Sequence, residues 1–174
     1  METFDLALLT RILIWISVLA WALVMAGWLV NSRLPAAKQV WTLAWLAYVG
    51  HAVAAFASHY EWSHGVAVEE TARQTEALTG WRSGIGIWFN YAVGIWWGAD
   101  VVRWWRTGRG WIKGKGHWRT WAFQIFLAFM IFNGTVVFGV GPARWLGVTV
   151  FALLASIQLH AKLRRDPTSD PSHS

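Results

Sequence analysis

The sequence predicts an all-α, polytopic integral membrane protein. Three observations carry that prediction. Of 174 residues, 56% are hydrophobic and only 14% are charged, whereas a soluble domain carries roughly a quarter charged residues. The apolar residues gather in long windows separated by polar, Gly- or Pro-containing punctuation. Those windows match the ~20 residues that a helix needs to cross a hydrocarbon core of about 30 Å.

Five windows qualify, with four as the fallback count. The first covers residues 12–30 and stops at Asn31-Ser32-Arg33-Leu34-Pro35. Its leading residues hold Glu2 and Asp5 without a basic stretch, which reads as a retained helix and not a cleaved signal. The second covers 39–58. A short amphipathic helix over 66–78 follows, supported by an i, i+4 pair of Glu69 with Arg73. The third window covers 83–102 and contains Gly80/Gly84 and Gly94/Gly98 at or near it, spacings that let another helix approach closely. The fourth covers 120–140. The fifth, 143–161, follows the Gly139-Val140-Gly141-Pro142 break and is the shortest. Residues 1–163 thus form one transmembrane domain, and 164–174, rich in Pro, Ser and Asp, read as a disordered cytoplasmic tail.

Lys and Arg are retained on the cytoplasmic side of membranes. With the N terminus outside and the C terminus inside, 11 of the 15 Lys and Arg fall inside, and the outer side holds four cations beside six carboxylates. The net charge of +6 is therefore an asymmetry. A four-span version would weaken it. The reading is a multi-pass protein of a bacterial-type inner membrane.

The absence of Cys removes disulfides, iron–sulfur clusters, CxxCH haem attachment and CxxC redox chemistry together. The 16 Trp divide by position. Trp41, Trp81, Trp104, Trp105, Trp118, Trp121 and Trp145 lie near predicted helix ends, where an indole satisfies both its ring and its N–H. Trp15, Trp21, Trp28, Trp45, Trp88, Trp96 and Trp97 lie deeper and imply lateral partners, other transmembrane subunits or a second copy.

Between the third and fourth windows, Arg103, Arg106, Arg109, Lys113, Lys115 and Arg119 alternate with Trp. Such a segment attracts anionic lipid at about 1 kcal/mol per cation. It is fixed to the bilayer at both ends and matches neither GxGxxG nor GxxxxGK[ST], so neither nucleic acid nor a nucleotide is expected. Asp100 and Arg103 most simply pair at i, i+3.

The opposite side holds the densest chemistry: His51, His59, Glu61, His64, Glu69 and Glu70. At 1.5 Å per residue, His51, Asn90 and Asn133 lie about 10–12 Å below the outer ends of three helices. With Tyr91 they outline a buried polar pocket, or a hydrogen-bonded cluster that specifies packing. His59 and His64 can share a metal only if the chain turns between them. Glu61, Glu69 or Glu70 would then complete a site for Cu or Zn. A bis-His haem within the chain is disfavoured, because His160 lies about 13 Å from the level of His51. No catalytic signature is present, so a non-enzymatic role is favoured: a small Trp-rich accessory subunit packed against a larger membrane complex. The alternative is a metal-binding or redox-linked protein using the outer His/Glu set. A small transporter or proton path ranks below both, since the inner leaflet offers few polar residues besides Gln124.

Overall fold

A computed structural model describes residues 5–30, 34–108 and 118–164, with backbone only at 119 and 120. Every regular element among the described residues is helical. Helix α1 spans Leu6–Leu29, α2 Ala37–Ser58, α3 His64–Thr79 and α4 Gly86–Thr107. Helix α5 spans Trp118–Phe132 and continues into a π turn over Asn133–Val137, and α6 spans Pro142–Leu163. Three helices, α1, α2 and α6, are long and apolar enough to cross a membrane. Helix α4 has the length, but five Trp together with Asn90, Asp100, Arg103 and Arg106 lower its apolar character.

The helix ends follow from local chemistry. Asp5 caps α1, its carboxylate accepting from the N–H groups of Ala7 and Leu8, so α1 starts six residues before the expected window. Gly80 and Gly108, at φ +75° and +65°, close α3 and α4 in the left-handed conformation that costs glycine little. Helix α4 consequently starts later and runs five residues further than expected, which places Arg103 and Arg106 on its last turns. Before α6, Gly141 adopts φ +56° and Pro142 takes the first helical position. The expectation that the last window is the shortest is corrected: α6 has 22 residues and α5 has 15 before its π turn. That turn is marked by the i to i+5 bond from Phe138 N–H to the Asn133 carbonyl. It carries Thr135 against Gly147 of α6, where a Cβ would collide with the threonine side chain.

Side-chain pairs set the register. Ser17 donates to the Ala44 carbonyl at 2.8 Å and His51 Nδ1 meets the Thr10 carbonyl at 2.9 Å, so α1 and α2 run antiparallel. Ala44 and Gly50 of α2, small residues that allow close approach, meet Ser17 and Leu13 of α1. Helix α4 returns antiparallel to α2, with Trp41 against Asp100 and Tyr48 against Asn90. Phe89 meets Phe126 and Trp96 meets Phe123, so α5 is antiparallel to α4. Phe151 of α6 lies 5.8 Å from Trp21 of α1. Helix α3 packs on the start of α4, where Val68 and Thr71 meet Gly84 and Gly86.

The core gathers where these helices meet, around Trp21, Trp41, Trp97, Phe123 and Leu127, each under 2% exposed. Trp41 and Trp104, expected as interfacial anchors, are both buried. Conversely, Trp21 and Trp97 fill the chain's own core, and Trp28, Trp45 and Trp96 pack against it. Most deep tryptophans are thus consumed internally. Gly94 and Gly98 admit Tyr48 and Trp45 of the chain's own α2, and Gly80 and Gly84 lie outside any helix.

Candidate functional site

The end of the bundle beside α3 brings together more of the sequence-predicted polar residues than any other place. Helix α2 ends at Ser58, and the chain turns through Glu61 and Trp62 at φ +49° and +59°. Two consecutive non-glycine residues in that region cost about 1–3 kcal/mol each. The turn is held by Trp62 N–H to the Phe56 carbonyl and Ser63 N–H to the Tyr60 carbonyl, at 3.0 and 2.7 Å. The Ser63 hydroxyl then caps α3 by accepting from Val66 N–H. This turn delivers His64 to α4, where its Nδ1 lies 2.9 Å from the Tyr91 hydroxyl. Trp88 stands edge-on to both rings, at 5.2 Å from His64 and 5.8 Å from Tyr91. Phe56 stacks on Tyr91 and meets Tyr60 edge-on.

The carboxylates of α3 have partners of their own. Arg82 binds both Glu69 and Glu76, and Glu70 accepts from Arg73 and Gln74. The Glu70 carboxyl is held below its ordinary range by the hydrogen bond from Arg73 and then by that from Gln74. Burial pushes the Tyr60 phenol upward, reinforced by the nearby Glu70 charge and by Tyr91. Glu69 therefore pairs with Arg82 and not with Arg73 as the helical spacing suggested. Among the described residues, no three His, Asp or Glu side chains come together to hold a metal ion. His59 is exposed and edge-on to Tyr60, while Glu61 is exposed in the left-handed turn.

The four residues expected to line an inner pocket have separate partners. His51 faces α1; a carbonyl can only accept, so the His51 Nδ1 carries the proton in its contact with Thr10. The Asn90 side chain is exposed, and its backbone carbonyl accepts from the Tyr48 hydroxyl. Tyr91 turns to His64. Asn133 donates back to the Phe129 carbonyl within its own helix. Chemically, this end offers an exposed imidazole–phenol hydrogen bond in an aromatic setting, beside a helix whose acids are paired with arginine.

Two buried polar features lie deeper. Asp100, fully buried, accepts from the Trp41 indole at 2.9 Å, a cross-helix bond that the i, i+3 reading does not include. Gln124 is 5% exposed, and neither of its amide atoms has a hydrogen-bond partner among the described residues. The indole N–H groups of Trp21 and Trp97 are likewise unpartnered there. Ionisable and amide residues in apolar windows were the available signal for Asp100 and Gln124. The indole that serves Asp100 has no signature in spacing.

At the opposite end, Arg103 and Arg106 are exposed on the last turns of α4. Lys38 sits 3.8 Å over the Trp105 ring, and that indole donates to Thr42. Arg109, Lys113 and Lys115 lie outside the described residues, as does the tail from 165 onward, and the side chain of Arg119 is not described. Compared with protein-family models, curated proteins and solved structures, the chain matches none.

Proposed function

We propose that the chain is a small five-span accessory subunit of a bacterial-type inner-membrane complex, with its N terminus outside and its C terminus inside, docking on a larger partner through α6. The observation that carries this reading is the outward face of α6. This helix buries only Gly147 and Val150, whereas α1 buries six residues. Opposite that contact, Trp145, Thr149, Ala152, Ser156, Leu159 and Leu163 follow one another at alternating spacings of four and three, and all are exposed. Such spacing keeps one face toward a partner helix. Small residues at its centre permit close approach, and Thr149 and Ser156 supply hydroxyls able to bond across an interface.

The absence of Cys makes the test clean. A single Ala152→Cys substitution, treated with a thiol crosslinker in native membranes, is expected to give one discrete adduct with a partner subunit. Ala152→Leu with Ser156→Ile is expected to abolish co-purification of that partner while the chain remains in the membrane. Unchanged co-purification in the double variant would remove α6 as the docking face.

A further inference from the structure

Beside α4 runs a groove of about 710 Å³, within the size range of specific ligand sites. Its middle is lined by Trp45, Ile95, Ala99 and Val102, and Arg103 and Arg106 stand at one end. Trp45 donates its indole N–H to the Gly94 carbonyl at 2.9 Å. The middle of the groove therefore presents apolar surface. Gly94 to Arg106 covers about 18 Å of helix. Half of a ~30 Å hydrocarbon core is about 15 Å, so the groove runs the depth of one leaflet and ends at the headgroup level. Arg106 has no hydrogen-bond or ion-pair partner among the described residues.

We infer that this groove binds one anionic phospholipid, an acyl chain lying along Ile95, Ala99 and Val102 and the phosphate held by Arg106. A guanidinium matches a phosphate in geometry as well as charge. A neutral lipid or an apolar helix would satisfy the groove's middle and leave the Arg106 guanidinium unmatched. The inference goes beyond a diffuse attraction of the basic segment to the membrane surface, because it requires shape at Ala99 together with charge at Arg106. It rests on α4 lying across the bilayer, as proposed above.

The test is native mass spectrometry of the full chain, extracted in mild detergent and titrated with phosphatidylglycerol or phosphatidylcholine. One phosphatidylglycerol is expected to be retained, at least about tenfold more tightly than phosphatidylcholine, the factor that ~1.4 kcal/mol of differential binding gives. Arg106→Gln should reduce that preference severalfold, and Ala99→Phe, which fills the groove and keeps both cations, should reduce retention of phosphatidylglycerol. Equal retention of the two lipids would overturn the inference. So would sensitivity to Arg106→Gln without sensitivity to Ala99→Phe, which would leave only surface attraction. Carbonate extraction of the same membranes separates the two levels of failure. A chain released by carbonate fails the membrane reading as well, whereas a chain retained but indifferent to phosphatidylglycerol fails this inference alone.

Discussion

At the scale of single residues, the two buried polar groups in the helical core call for opposite expectations. Asp100 accepts from the Trp41 indole, and leaving a buried acceptor without its donor costs about 1–3 kcal/mol. Trp41→Phe removes that donor and keeps an aromatic ring against Trp97 and Phe123. It should lower stability by about 1–3 kcal/mol in a reversible detergent-denaturation assay. Gln124, by contrast, keeps both amide atoms buried without a partner among the described residues. An unmade bond at such a site costs roughly 1–3 kcal/mol, so Gln124→Leu, of similar size, should raise stability in the same assay. A loss instead would mean that the Gln124 amide is engaged by a bound water or ligand in the membrane. The sequence marks Asp100 and Gln124 through their chemistry alone. It does not distinguish the satisfied group from the unsatisfied one, because that depends on which indole faces which carboxylate across 59 positions of chain.

At the scale of elements, the contact of α2 with α4 turns on one glycine more than the other. A Cβ at Gly98 would lie 2.8 Å from the Trp45 ring, whereas one at Gly94 would lie 3.5 Å from Tyr48, an ordinary contact. Gly98→Ala should therefore cost about 1–3 kcal/mol of overpacking, and Gly94→Ala should be nearly neutral, read as the shift in denaturation midpoint of each variant. Equal costs would mean that Trp45 yields without penalty. The Gly94/Gly98 spacing was legible as a site of close approach, but not whether the approaching helix belongs to this chain or to another. Helix positions were also legible, since apolar windows and turn residues are local signals. The ends were less so: the Asp5 cap and the left-handed Gly108 move α1 and α4 by several residues relative to their apolar windows. The His/Glu set shows the same limit. Its spacing brought the residues near one end of the bundle, yet Arg82 and Arg73 take the carboxylates that a metal would need.

At the scale of the whole molecule, the proposed five spans make a prediction about which side each connection lies on. Helices α1, α2 and α6 qualify by length and apolar character, and α5 with its π turn forms a shorter apolar stretch. Helix α4 falls short on composition because of its tryptophans and charges, but its Asp100 and Trp97 point into the core. The remaining charges, Arg103 and Arg106, sit in its last turns, where long basic side chains reach the interface. Its inward face is packed against α2 and α5 in an antiparallel register that places its two ends at opposite ends of the bundle. If α4 and α5 both cross, residue 107 lies on the side opposite residues 63 and 140. If neither crosses, all three positions lie on one side. Single Ser63→Cys, Thr107→Cys and Val140→Cys variants in the otherwise Cys-free chain separate these cases with a membrane-impermeant maleimide applied to intact cells. Labelling of the first and third, with labelling of Thr107→Cys only after permeabilisation, is expected for five spans with the N terminus outside. Labelling of all three in intact cells would reduce the count to three spans. It would also take the cationic end of α4 away from the cytoplasmic side, where the charge asymmetry of the sequence puts it.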